Sequence, residues 1–195
     1  MLRNGAKSLA SRFNPTIGSL RSWDFKKELW DFPVIIDNMM NLELIMWVAN
    51  RDGDEQLKHV AKTHANTTMK NHFRSDYSTY HLVDYNPKDG SINKKQTVQG
   101  FADESRWARG QAWALYGFTM MHRMTGEQAY LEQATKVAEM ILPYLPEDGI
   151  PYWDFNSHDI PNDLQDASAG AIMAPPTTEV QQLWPRIREL LRDIA

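Results

Sequence analysis

Residues 101–121 read FADESRWARGQAWALYGFTMM, and the placing of this stretch decides the fold. From Trp107 onward it is helical in pattern and apolar on nearly every face, which calls for enclosure on all sides. Yet Arg109 and Gln111 stand in its first turn, directly after an acidic loop with Asp103 and Glu104. A buried guanidinium is costly unless something pairs with it. Two partners fit: the carboxylate of Asp103 or Glu104, favoured near a helix start, or an anionic ligand at the helix mouth. Spacing alone leaves both open.

Working outward, the same kind of helix recurs at 36–53, IDNMMNLELIMWVANRDG, opening on Asp37 as an N-cap and closing at Gly53. Met39, Met40, Trp47 and, in the later helix, Met120 read as core residues. Each all-apolar helix is followed by a one-faced one. In 54–73, Leu57, Val60, Ala61, His64 and Ala65 keep helical spacing against a charged face, and 127–145 repeats the pattern. Leu57–Lys62 aligns with Leu131–Lys136 at a spacing of 74 residues. Alternation of enclosed and one-faced helices predicts helical hairpins arranged as an inner ring wrapped by an outer ring. A plain helical bundle is the simpler alternative.

Between the hairpins, residues 78–100 alternate and turn at Pro87–Gly90, which predicts an inserted β-hairpin. Residues 145–166 form a long Pro-, Asp- and aromatic-rich loop that returns to helix near Ala167, and long loops of this kind often carry function. If the array closes, one rim gathers Asp37, His81, Gln99, Arg109, Trp113 and the Trp153–Asp154 segment. Indoles suit the C–H face of a sugar ring and arginine suits a carboxylate, so this lining fits an acidic sugar.

Composition narrows the class. The chain has 195 residues, 42% hydrophobic and 24% charged, with a net charge of −4 and no cysteine. That describes a soluble globular chain without a disulfide framework or thiolate metal sites. The charge is spread along the chain, giving no sign of a nucleic-acid partner, and no apolar run is long enough to span a bilayer. No secretory signal precedes the first helix, so a native N-terminus implies a cytoplasmic protein.

The segments FPVIIDNMMNLEL, STYHLVDYNPKDG, GFADESRWARGQAWALYGFTMM, YLEQATKVAEMIL and LPEDGIPYWDFNSHDIPNDLQDASA together resemble the unsaturated glucuronyl hydrolases, glycoside hydrolase family 88. The resemblance runs from about residue 5 to about residue 174. It implies an all-α, six-hairpin (α/α)6 toroid with an inserted β-hairpin, acting without a metal or organic cofactor. The implied substrate is the 4,5-unsaturated uronic acid that polysaccharide lyases leave at the non-reducing end of glycosaminoglycan-type oligosaccharides. The implied chemistry is hydration of the C4=C5 enol ether, after which the glycosidic bond collapses; this differs from the paired-carboxylate route of ordinary glycosidases. Carried over by position, Asp37 matches the acid/base aspartate. His81 and Gln99 match residues near the uronate ring, Arg109 and Trp113 match residues holding the sugar and its carboxylate, and Trp23 matches a stacking tryptophan. Without the resemblance, Asp37 reads as a simple N-cap and His81 as a structural histidine.

Two departures qualify the match. The family's second aspartate, on an HD motif, lies upstream of the region matched here, and the family pattern stops at Pro175 and Pro176. Six hairpins at roughly 55 to 60 residues each need about 350 residues, and about three are visible. The chain therefore reads as a central fragment: a partial barrel over 1–174 and a divergent, amphipathic tail over 175–195. Exposed inner helices then favour self-association. The related unsaturated rhamnogalacturonyl hydrolases, or an inactive fragment that binds acidic sugar, are the alternatives.

Overall fold

A computed structural model describes residues 1–174; the tail over 175–195, with its proline stop and amphipathic pattern, lies outside the described residues. The order is α1 (Leu2–Ala10), β1 (Phe13–Asn14), β2 (Ser19–Leu20), β3 (Pro33–Ile35), α2 (Asn38–Asp52), α3 (Glu55–Asn71), β4 (Leu82–Tyr85), β5 (Ile92–Gln96), α4 (Ala108–Thr125) and α5 (Gln128–Ile141). A further helical stretch runs over 167–174.

The hairpin reading holds at its punctuation. Helices α2 and α4 each end on a left-handed glycine, Gly53 and Gly126, as helix C-termini favour. Helix α3 starts on Asp54, whose carboxylate accepts from the amides of Gln56 and Leu57. The apolar helices α2 and α4 pack on each other, with α3 and α5 as their outer partners. The aligned outer segments occupy equivalent places: Leu57 and Leu131 are both 5% exposed.

The inner pair approaches unusually closely. A Cβ on Gly117 of α4 would lie 2.4 Å from the Cβ of Met39, a fully buried residue of α2. Only glycine permits this crossing. Gly117→Ala is expected to cost about 2–3 kcal/mol by overpacking, read as a lower urea midpoint with an unchanged slope.

Three expectations need correction. The inserted hairpin is the larger part of a three-stranded antiparallel sheet, β3–β4–β5, in which Val34 pairs with Val83 and Ile35 with Leu82. Strand β3 is three residues long and opens with proline, so it carries no alternation to read; β4 is buried along its whole length, which removes alternation there too. A two-stranded ribbon, β1–β2, was likewise not anticipated. Met40 and Trp47, read as core, are 39% and 41% exposed, while Met39 and Met120 are fully buried. Met40 and Trp47 lie on the face of α2 that no described element covers, and an apolar pattern cannot reveal which of its faces finds a partner.

Candidate active site

Strand β3 hands the chain to α2 through Ile36 and Asp37, and the Ile36 amide donates to the carbonyl of His81 at 3.0 Å. This bond ties the start of α2 to the start of β4 and sets Asp37 beside His81. Although Asp37 occupies the N-cap position, its side chain makes no capping bond. The simple-cap reading therefore fails: the carboxylate turns away from the helix and its Oδ2 is buried with no hydrogen-bond partner. It lies 3.9 Å from Nε2 of His81, beyond hydrogen-bonding distance. Burial, with its own backbone amide and the Arg109 charge opposing it, pushes the Asp37 carboxyl up to about 6.

His81 is held from its other side. Its Nδ1 accepts from the amides of Val98 at 2.9 Å and Gln99 at 3.3 Å. A ring nitrogen receiving N–H donors keeps its lone pair, so these backbone donors assign the neutral tautomer with the proton on Nε2, facing Asp37. Burial, reinforced by the His72 and Arg109 charges, lowers the His81 pKa to about 4 and keeps the ring neutral near pH 7. The ring leans on Trp107 with centroids 4.6 Å apart.

The partner of Arg109 is neither of the nearby acids. Glu104 pairs with Arg74 and accepts from Tyr80, and Asp103 accepts from the Thr97 amide. Arg109 instead reaches Asp166 at 3.5 Å, Ser168 at 3.1 Å and the side-chain oxygen of Gln99 at 3.0 Å, with its guanidinium 4.9 Å above Trp107. Its side chain is 34% exposed, and its two hydrogen bonds, to Ser168 and Gln99, leave part of its five-donor fork free of the protein contacts described. The other polar residue of the opening stretch, Gln111, is structural: its buried amide bridges Thr79 and Trp107.

Asp37, His81, Gln99 and Arg109 thus form one cluster. Trp113 stands one helical turn beyond Arg109, edge-on to Tyr116. It lines a groove of about 520 Å³ with Leu2, Met40, Leu44 and Trp47, along the uncovered face of α2. Trp23 stacks on Phe25 and meets Trp30 edge-on, and it is tied to β3 because Ser22 accepts from the Ile35 amide. Two members of the cluster's surroundings were missed in the sequence: Trp107, beneath both His81 and Arg109, and Asp166. Asp154, placed on the rim by the sequence reading, is fully buried behind the cluster. Among the described residues, no group of three or more His, Cys, Asp or Glu is placed to hold a metal ion, and no helix is long and apolar enough to cross a membrane.

Paired inner and outer helices, with an acid at the mouth of an inner helix, define the architecture as part of a six-hairpin glycosidase toroid. By sequence and by fold the chain is related to the unsaturated glucuronyl hydrolases. It is 51% identical over 170 residues to the enzyme of that name from Formosa agariphila, covering 86% of this chain and 42% of that one. The crystal structure of an unsaturated glucuronyl hydrolase specific for heparin superposes with a TM-score of 0.93 at 43% identity, covering 99% of this chain and 53% of that one. The unsaturated glucuronyl hydrolase responsible for glycosaminoglycan degradation from Bacillus sp. GL1 superposes at 0.90 with 32% identity, covering 99% and 52%. No family model matches the chain. The chain spans about half the length of these relatives.

Proposed function

We propose that this chain carries the proton-donating half of an unsaturated glucuronyl hydrolase site. The observation that carries the reading is Asp37: a carboxyl held near neutrality by burial, with a bare Oδ2 beside a neutral histidine. Proton transfer to carbon needs an acid with a raised pKa, and burial supplies one. Protonated Asp37 gives its proton to C4 of the unsaturated uronate while water adds at C5. The water's proton passes to the Asp37 carboxylate and restores the acid. The product is a hemiketal at C5, which opens to a ketone and releases the aglycone from C1. Arg109, part exposed, takes the uronate carboxylate, and Gln99 fixes the guanidinium. The relatives' glycosaminoglycan and heparin preference supports the same substrate class here.

The test is the ultraviolet absorbance of an unsaturated glycosaminoglycan disaccharide incubated with the chain. Loss of the enol-carboxylate signal supports the reading. A flat trace from folded protein that still binds the disaccharide leaves an acidic-sugar binder without turnover, the alternative reading of the chain. Turnover of a pectin-derived disaccharide alone reassigns the substrate to the rhamnogalacturonyl class. Whichever outcome holds, Arg109→Ala is expected to weaken disaccharide binding about 100-fold, because a charge-assisted bidentate contact contributes roughly 2–3 kcal/mol; calorimetric titration measures it. We further propose that the groove bearing Met40 and Trp47 supports self-association, which sedimentation equilibrium detects as a concentration-dependent mass.

A further inference from the structure

The cluster rests on an irregular turn whose position depends on more than its own internal bonds. Residues 97–105 leave β5 and return to α4, and they carry both the backbone amides that bind His81 and the Gln99 side chain that meets Arg109. Inside the turn, Thr97 accepts from the Gly100 amide at 2.7 Å, and Asp103 accepts from the Thr97 amide at 2.8 Å. Arg74 donates to the Asp103 carbonyl at 3.0 Å and Ser105 to the Ala102 carbonyl at 2.8 Å on the side of the turn toward α4, and a further anchor, toward its Phe101 bend, comes from far away in sequence. Oδ2 of Asp154 accepts from the Phe101 amide at 2.9 Å and from the Ser105 hydroxyl at 2.6 Å. Its Oδ1 accepts from the Asn156 amide at 3.0 Å, so both carboxylate oxygens are satisfied. Asp154 is fully buried, and the segment around it is stitched to the start of α4: Ala108 donates to the Trp153 carbonyl and Phe155 donates to the Arg106 carbonyl, each at 3.0 Å. The fit is close. A Cβ on Gly100 would lie 3.2 Å from Asp154 Oδ2 and 3.0 Å from the Trp107 Cβ.

We propose that Asp154 is a positioning residue of the site, clamping the 97–105 turn from behind so that its front presents two backbone amides to His81 Nδ1 and the Gln99 oxygen to Arg109. The chain of causes is short. With the Asp154 carboxyl in place, the Phe101 and Ser105 donors point inward, and the Val98 and Gln99 amides point at His81. Those amides hold the histidine proton on Nε2, the nitrogen facing Asp37. Asparagine in place of Asp154 keeps the volume but sets either an amide N–H₂ against two donors or one oxygen where two worked. The penalty of an unmet buried donor falls on the turn, and the histidine loses its fixed tautomer.

The proposal concerns the site of the function proposed above, but its test does not need turnover. Long-range proton–nitrogen spectra of the chain carrying ¹⁵N-histidine report which ring nitrogen of His81 holds the proton, with His81→Gln assigning the signal. The parent is expected to show one Nε2–H tautomer at pH 7. Asp154→Asn should convert it to an averaged pair of nitrogens with a pKa moved up toward the ordinary histidine value. Ser105→Ala, which removes one of the three bonds to the carboxylate together with the hydroxyl's contacts to Ala102, should give a smaller change of the same sign and covers the case in which Asp154→Asn does not fold. A folded variant with lowered thermal stability and an unchanged His81 signal overturns the proposal, making Asp154 structural only. Where the parent turns over the disaccharide, a parallel fall of at least tenfold in kcat/KM is expected.

Discussion

Replacing Asp37 with asparagine is expected to abolish the proposed hydration and, at the same time, to stabilise the chain above pH 7. The first effect follows from removing the proton donor: asparagine cannot protonate C4, and loss of a positioned acid costs about 10²–10⁴-fold in rate. The second follows from linkage. Asp37 has a folded pKa of about 6, above its unfolded value of 3.8. Between these values the folded state binds the extra proton, so stability falls as pH rises through this window and stays lower above it. A rise of that size corresponds to at most ~3 kcal/mol of destabilisation by the ionised form. Asparagine carries no charge, so that cost vanishes. Thermal denaturation at pH 8 and at pH 4 checks the pair: the variant should be more stable at pH 8 and near parity at pH 4. Equal stability at both would mean that the buried carboxylate costs nothing. A site strained for catalysis in this way trades stability for activity.

Acid unfolding between pH 6 and pH 4 is the second large effect. Burial lowers His64 to about 3 and His72 and His81 to about 4, each from 6.5. His64, on α3, accepts from the Leu20 amide of β2, and His72, at the end of α3, meets the Val34 carbonyl of β3, so both tie the outer helix to the strands. All three are neutral when folded and take up protons near pH 6.5 when unfolded. Their contribution is fully present above pH 6.5 and is lost as pH falls toward 4. Each depression is worth on the order of 3 kcal/mol, against a total stability of about 5–15 kcal/mol for a domain. Asp37 works in the opposite sense over the same window, and one group cannot offset three. Urea titrations at stepped pH should give a slope matching two to three protons taken up on unfolding. A midpoint unchanged from pH 7 to pH 4.5 would contradict the buried-histidine account.

What the sequence disclosed tracks what local chemistry encodes. Helices α2 to α5 were legible because caps, glycine stops and apolar spacing are local, and the 74-residue alignment marked the outer helices as equivalent. Strand β3 was not, because a three-residue strand that opens on a proline carries no period. For the candidate site, Asp37, His81, Gln99 and Arg109 do gather, yet pattern alone left Asp37 as a cap and the Arg109 partner undecided. The answer to the second question, Asp166, sits 57 residues away and is settled only by the fold. Asp154 escaped for the same reason: the donors it serves, Phe101 and Ser105, lie 53 and 49 residues earlier. Trp47 and Met40 were misplaced because hydrophobicity records a need for cover and not whether cover is met.

The most direct measurement is a carbon-13 titration of the Asp37 side-chain carboxyl from pH 3.5 to pH 8 in the folded chain, assigned with Asp37→Asn. The account predicts a transition near pH 6, above the other carboxylates, with His81 titrating separately at about 4. A transition near pH 4 would show an ordinary solvated aspartate and would remove the acid on which the proposed hydration depends.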